Sequence, residues 1–114
     1  MIDVSNPANP KMLGDWWSPD GASAPGRVVV QNGILYHTLY PETAGPKTQP
    51  DELEYELVIL DVRNPNNIIT LSRLKVAGRH GAFRLFKEGN LLYIGLFPGG
   101  VTIVDVTDPR APQI

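Results

Sequence analysis

One short motif occurs three times in this chain and constrains its fold more than any other feature. Ile2-Asp3-Val4-Ser5-Asn6-Pro7-Ala8-Asn9-Pro10 matches Leu60-Asp61-Val62-Arg63-Asn64-Pro65-Asn66-Asn67-Ile68, and both match Val104-Asp105-Val106-Thr107-Asp108-Pro109-Arg110-Ala111-Pro112. A second marker lies between the copies: Asn32-Gly33-Ile34-Leu35-Tyr36 resembles Gly89-Asn90-Leu91-Leu92-Tyr93. The interval from Asp3 to Tyr36 is 33 residues and that from Asp61 to Tyr93 is 32, so this half of the repeat is constant. The interval from Tyr36 to Asp61 is 25 residues but that from Tyr93 to Asp105 only 12, which places an insertion over residues 41–55. Without the insertion the period is about 44 residues, within the range of repeat architectures built from one supersecondary unit.

The repeat reads as strands. Arg27–Gln31 and Ala82–Lys87 each lead into an Asn/Gly pair, a strong hairpin turn signal, and Ile34–Tyr40 and Leu91–Phe97 follow as second strands. Glu56–Val62 and Val101–Val106 are third strands, and Ile69–Val76 a fourth, with Lys11–Trp17 as its counterpart after the first copy. No segment carries a sustained helical apolar stripe with caps. The third strands place apolar side chains on both faces, as in Leu57-Val58-Ile59-Leu60, where a half-exposed antiparallel sheet would alternate. A small antiparallel sheet covered on both sides is the blade of a β-propeller. Eleven glycines and eleven prolines suit short strands joined by tight turns.

Leu57-Val58-Ile59-Leu60-Asp61-Val62 followed by Asn64-Pro65, and Val101-Thr102-Ile103-Val104-Asp105-Val106 followed by Asp108-Pro109, resemble the LVIVD repeat. The resemblance covers nearly the whole chain outside the insertion and departs at Ile68, where the other copies have proline. It implies an all-β fold of antiparallel four-stranded propeller blades, about two blades of an incomplete or oligomer-closed propeller. Residues 1–17 then form end strands c and d of one blade, residues 27–76 a complete blade with its insertion, and residues 82–106 strands a to c of the next. The repeat is known mostly from bacterial and archaeal proteins, often surface or exported ones. It is defined by its blades and not by an active site.

Two blades leave two large apolar faces uncovered, and faces of that size call for a partner. The expectation is self-association that closes a ring, or additional blades of a longer chain. A net charge of −2, from ten basic and twelve acidic residues, favours neither nucleic acid nor an anionic membrane. No run approaches the roughly 20 apolar residues of a membrane span, and the first seven residues lack the basic and apolar regions of a signal peptide. The absence of cysteine excludes disulfides and thiolate chemistry and leaves the compartment open.

Candidate binding residues follow from the blade reading. Propeller ligands gather where the d–a and b–c loops meet, which here are Ser18–Gly26, Ala77–Gly81, Pro41–Tyr55 and Pro98–Gly100. Asp20, Arg79 and His80 lie in those loops, and Arg27 and Arg84 begin the inner strands beside them. For His80 the ordinary reading is an exposed loop histidine, and the sharper one a general base or ligand titrating near neutrality. His37 reads as a packed or hydrogen-bonded strand histidine in preference to a ligand. Two histidines 43 residues apart make no metal motif. The acidic insertion does not fit an EF-hand loop. Asp3, Asp61 and Asp105 end strands before a turn, where aspartate hydrogen-bonds backbone amides, so the architectural reading is preferred to a metal site. No nucleophile elbow, phosphate loop, dinucleotide fingerprint or zinc-protease motif occurs. The sequence therefore assigns no catalytic residue, metal or cofactor. It favours a non-catalytic module for protein–protein or cell-surface recognition or scaffolding, with a fragment of a propeller hydrolase or oxidoreductase as the alternative.

Overall fold

The computed structural model describes residues 1–19, 23–41, 54–77, 82–96 and 100–114. Nine strands follow in chain order: β1 Ile2–Asp3, β2 Lys11–Met12, β3 Ser23–Gln31, β4 Ile34–Pro41, β5 Glu54–Asp61, β6 Ile69–Ala77, β7 Ala82–Glu88, β8 Leu91–Leu96 and β9 Gly100–Asp105. They form a two-stranded sheet β1-β2, a four-stranded meander β3-β4-β5-β6 and a three-stranded meander β7-β8-β9, every pairing antiparallel. There is no helix among the described residues. The fold is all-β, and its three small sheets are consistent with partial propeller blades.

The turns explain the meanders. Asn32 and Gly33 both take positive φ, 53° and 73°, which is the sign pattern of the type I′ turn whose twist matches two antiparallel strands. Gly89 takes φ 55° while Asn90 does not, the sign pattern of a type II′ turn. Glycine, and an asparagine that tolerates positive φ, at these positions fix the register Gln31↔Ile34 and Glu88↔Leu91, and with it which side chains share a face.

One expected strand is much shorter than its sequence suggests. Lys11–Trp17 was the counterpart of Ile69–Val76, yet only Lys11 and Met12 pair as strand. The ladder stops because β1 offers two residues, Ile2 and Asp3, and beyond them Leu13 N–H to the Met1 carbonyl and the Met1 ammonium to the Gly14 carbonyl continue it. β6, facing the eight residues of β5, runs its full length.

The core lies between sheets. One face of β3–β6 supplies Tyr36, Leu57, Ile59 and Val76, which pack against Leu92, Ile94, Val104 and Val106 of the β7–β9 unit. The opposite face of β3–β6 supplies Leu39, Val58, Leu60 and Val62, covered by Trp16 and Ile68. Leu57, Val58 and Ile59 are all fully buried, so β5 is apolar on both faces because both faces have neighbours. Each such side chain contributes about 1.5–3 kcal/mol of hydrophobic free energy.

Candidate functional site

Of the residues singled out by the sequence, Asp20, Arg79 and His80 lie outside the described residues. Arg27 and Arg84 are described, and they occupy the same place in two sheets. Each sits at an irregularity near the start of an inner strand, between Pro25 and Val28 in β3 and between Ala82 and Arg84 in β7. At the first of these, the bulge takes the Arg27 amide out of the strand ladder, and the buried Thr38 hydroxyl accepts its hydrogen at 2.9 Å. Gly26 makes this possible: a β-carbon there would lie 2.3 Å from the Thr38 carbonyl oxygen. His37 closes the same corner, its Nδ1 3.1 Å from the Arg27 carbonyl oxygen, so that nitrogen donates. His37 is thus a strand histidine held by the backbone.

The best-defined chemistry lies at the repeated aspartates, and it is architectural. Asp3, Asp61 and Asp105 each accept a hydrogen bond from the amide two residues on, at 2.8 Å from Ser5, 3.1 Å from Arg63 and 2.8 Å from Thr107. Three residues later the motif repeats the device. Asn6, Asn64 and Asp108 accept from the amides of Ala8, Asn66 and Arg110 at 3.2, 3.0 and 2.9 Å. The amides of Asn9, Asn67 and Ala111 then return to the carbonyls of Asn6, Asn64 and Asp108, each at 3.0 Å. Two successive Asx turns carry the chain back so that Asp3 faces Lys11, Asp61 faces Ile69 and Asp105 faces Gln113. Ile68, standing where the other copies have proline, leaves this loop unchanged.

The hydrogen bonds favour the charged carboxylates. The Ser5 amide holds Asp3 below the usual carboxylate range. The Thr107 hydroxyl and amide do the same for Asp105. At Asp61 the guanidinium of Arg63 is the larger cause and the Arg63 amide the second, and together they bring the carboxyl down to about 2. Arg63 Nε lies 2.9 and 3.1 Å from the two Asp61 oxygens, and its Nη2 also bonds the carboxylate.

The family model of the LVIVD repeat matches residues 1–16 and 85–114. The two matched segments carry the LVIVD repeat. No curated protein and no solved structure matches it. The matched segments hold the first and third Asx loops, and the LVIVD-type segment between them, Leu57–Pro65, has the same loop geometry although it falls outside the match. Repeats of this kind, in antiparallel sheets that pack face to face, suggest a β-propeller-like repeat module.

Sequence reading did not find the contacts that join one LVIVD repeat to the next. Lys87 of β7 reaches across to β3, its ammonium 2.7 Å from Gln31 Oε1 and 5.6 Å from the centre of the Tyr36 ring. Ser72 of β6 donates to the Pro109 carbonyl, 2.7 Å away. A β-carbon on Gly14 would lie 2.1 Å from the Pro65 carbonyl oxygen. Gly14 follows Lys11 by three residues, as Ser72 follows Ile69, and Pro65 and Pro109 are the same repeat position. A small residue at that point of each fourth strand was the available signal.

Proposed function

We propose that this LVIVD-repeat chain is a non-catalytic β-propeller module for protein–protein or cell-surface recognition or scaffolding, which works by offering a blade face to a partner. One observation carries the reading. The side of the β7–β9 sheet turned away from the core presents Phe86, Val101 and Ile103 at 61, 63 and 48% exposure, with Tyr93 between them. An apolar face of this kind, flat and built on paired strands, is the surface by which one sheet packs on another.

The test is fluorescence of an apolar dye, anilinonaphthalene sulfonate, with the whole chain and its Phe86→Asp variant, at protein concentrations low enough to keep copies apart. The expected result is strong emission from the unaltered chain that falls by half or more in the variant. Equal emission from both would place the accessible apolar surface elsewhere and remove the support for the reading.

A further inference from the structure

The open face of β7–β9 has a counterpart inside the same chain. By register, Phe86, Tyr93, Ile103 and Val101 correspond to Val29, Tyr36, Ile59 and Leu57. That face of β3–β6 is buried, and the opposite face of β7–β9, with Leu85, Leu92, Ile94 and Val104, buries it. The covering kind of face also occurs twice. On β3–β6 the residues corresponding to Leu85, Lys87 and Leu92 are Val28, Val30 and Leu35, of which Val28 and Val30 are 59 and 54% exposed. The chain therefore shows this interface once between its two larger sheets, with the covered kind of face exposed on β7–β9 and the covering kind exposed on β3–β6 at Val28 and Val30.

Resting on the recognition reading, we propose that the partner is a second copy of this chain. The Phe86–Tyr93 face of one copy seats on the Val28–Val30 face of the next, as β7–β9 seats on β3–β6 within a copy. The contact joins unlike surfaces, so it is heterologous, and each copy keeps one face free for the next.

The outer part of the receiving face, Leu39, Val58, Leu60 and Val62, is already covered by Trp16, in the segment that follows residues 1–12, and residues 1–12 match residues 103–114 of the incoming copy. The two segments claim the same place. β1 and β2 pair only two residues each, whereas β9 pairs six with β8, so residues 1–17, Trp16 among them, are the ones that leave. Val30 of the receiving copy then lies over Tyr93, where Lys87 lies over Tyr36 within a copy.

The experiment uses the full chain and two variants, Phe86→Asp and Val30→Asp, each of which spoils one half of the interface. Mass is measured by sedimentation over a hundredfold range of concentration. The unaltered chain is expected to gain mass with concentration, and each variant alone to need at least ten times more protein to do so. An equimolar mixture is expected to give a one-to-one dimer, since each variant retains the half that the other lacks. A monomeric mixture, or either variant assembling as readily as the unaltered chain, would overturn the proposal. A monomeric mixture together with the dye signal lost in Phe86→Asp would leave the recognition reading standing and reject only the second copy. Phe86→Gln and Val30→Gln repeat the design if the aspartates lower the melting temperature.

Discussion

Ser72 and Pro109 are 37 residues apart in sequence and joined by a 2.7 Å hydrogen bond from the Ser72 hydroxyl to the Pro109 carbonyl. The bond ties the fourth strand of one sheet to the Asx loop of the next, outside the apolar core. Its removal tests whether the sheets are held only by that core. Ser72→Ala is expected to lower the free energy of unfolding by about 1 kcal/mol, the usual net worth of such a bond, with the slope of a urea titration unchanged. No change in midpoint would show that the loop holds its place without Ser72.

Gly14 occupies the corresponding position one repeat earlier, and there the carbonyl of Pro65 comes too close for any side chain. Gly14→Ala is expected to push residues 13–17 away from the sheet and to draw Trp16 off Leu39, Val58, Leu60 and Val62. Trp17 is already 80% exposed and would mask the change, so the measurement belongs in a Trp17→Phe background. There the emission of Trp16 is expected to shift to the red on substitution of Gly14. An unmoved spectrum would mean that the Pro65 loop yields instead.

Asp61 makes stability depend on pH in a stated direction. Its carboxyl in the folded chain is held at about 2, below its ordinary value of 3.8, first by the Arg63 side chain and then by the Arg63 amide. The folded state therefore binds that proton less readily than the unfolded one. The stabilisation is fully present above the unfolded value and is lost as pH falls through about 2. Asp61→Asn is expected to be less stable than the unaltered chain at neutral pH, with the gap closing steadily over the acid range between those two values. Urea titrations of both proteins at a series of pH values check this. A gap that stayed constant would assign the role of Asp61 to shape rather than charge.

Most strand pairing was legible because local chemistry decides it. The Asn/Gly pairs set the hairpins, and the run Asp-Val-x-Asn-Pro, with Asp for Asn in the third copy, set the loop to the fourth strand, in agreement with the Asx turns at Asp3, Asp61 and Asp105. What one sheet does to another was not legible. Alternation tells which side chains share a face, but not that Lys87 falls over Tyr36 or Ser72 beside Pro109, since those depend on the offset between packed sheets. The bulge at Gly26 and Arg27 was likewise missed, because its cause is the Thr38 hydroxyl on the neighbouring strand. Lys11–Trp17 was read as too long a strand for a different reason: composition reports strand preference, whereas a strand also needs a partner of equal length. Of the candidate binding residues, Arg27 and Arg84 were legible as a pair through the repeat itself.

Lys87 is the cation that joins two repeats, and its two contacts with the neighbouring sheet are separable. The ammonium bonds Gln31 at 2.7 Å and stands 5.6 Å from the centre of the Tyr36 ring. The first contact links β7 to β3, the pair of strands through which the two larger sheets meet, and the second links β7 to β4. Lys87→Met keeps the length of the side chain and removes the charge, and Gln31→Leu removes the acceptor alone. A cycle of Lys87→Met with Gln31→Leu measures the hydrogen bond, and one of Lys87→Met with Tyr36→Leu measures the ring contact. A cation over an aromatic face contributes about 0.5–1 kcal/mol at a partly exposed site, and a hydrogen bond to a charged group about 1.5–3 kcal/mol. The Gln31 cycle is therefore expected to give the larger coupling, and the Tyr36 cycle a smaller one that survives in 1 M salt. Equal and vanishing couplings in both would show that the sheets are joined by the apolar core alone and that Lys87 only covers it with its methylenes.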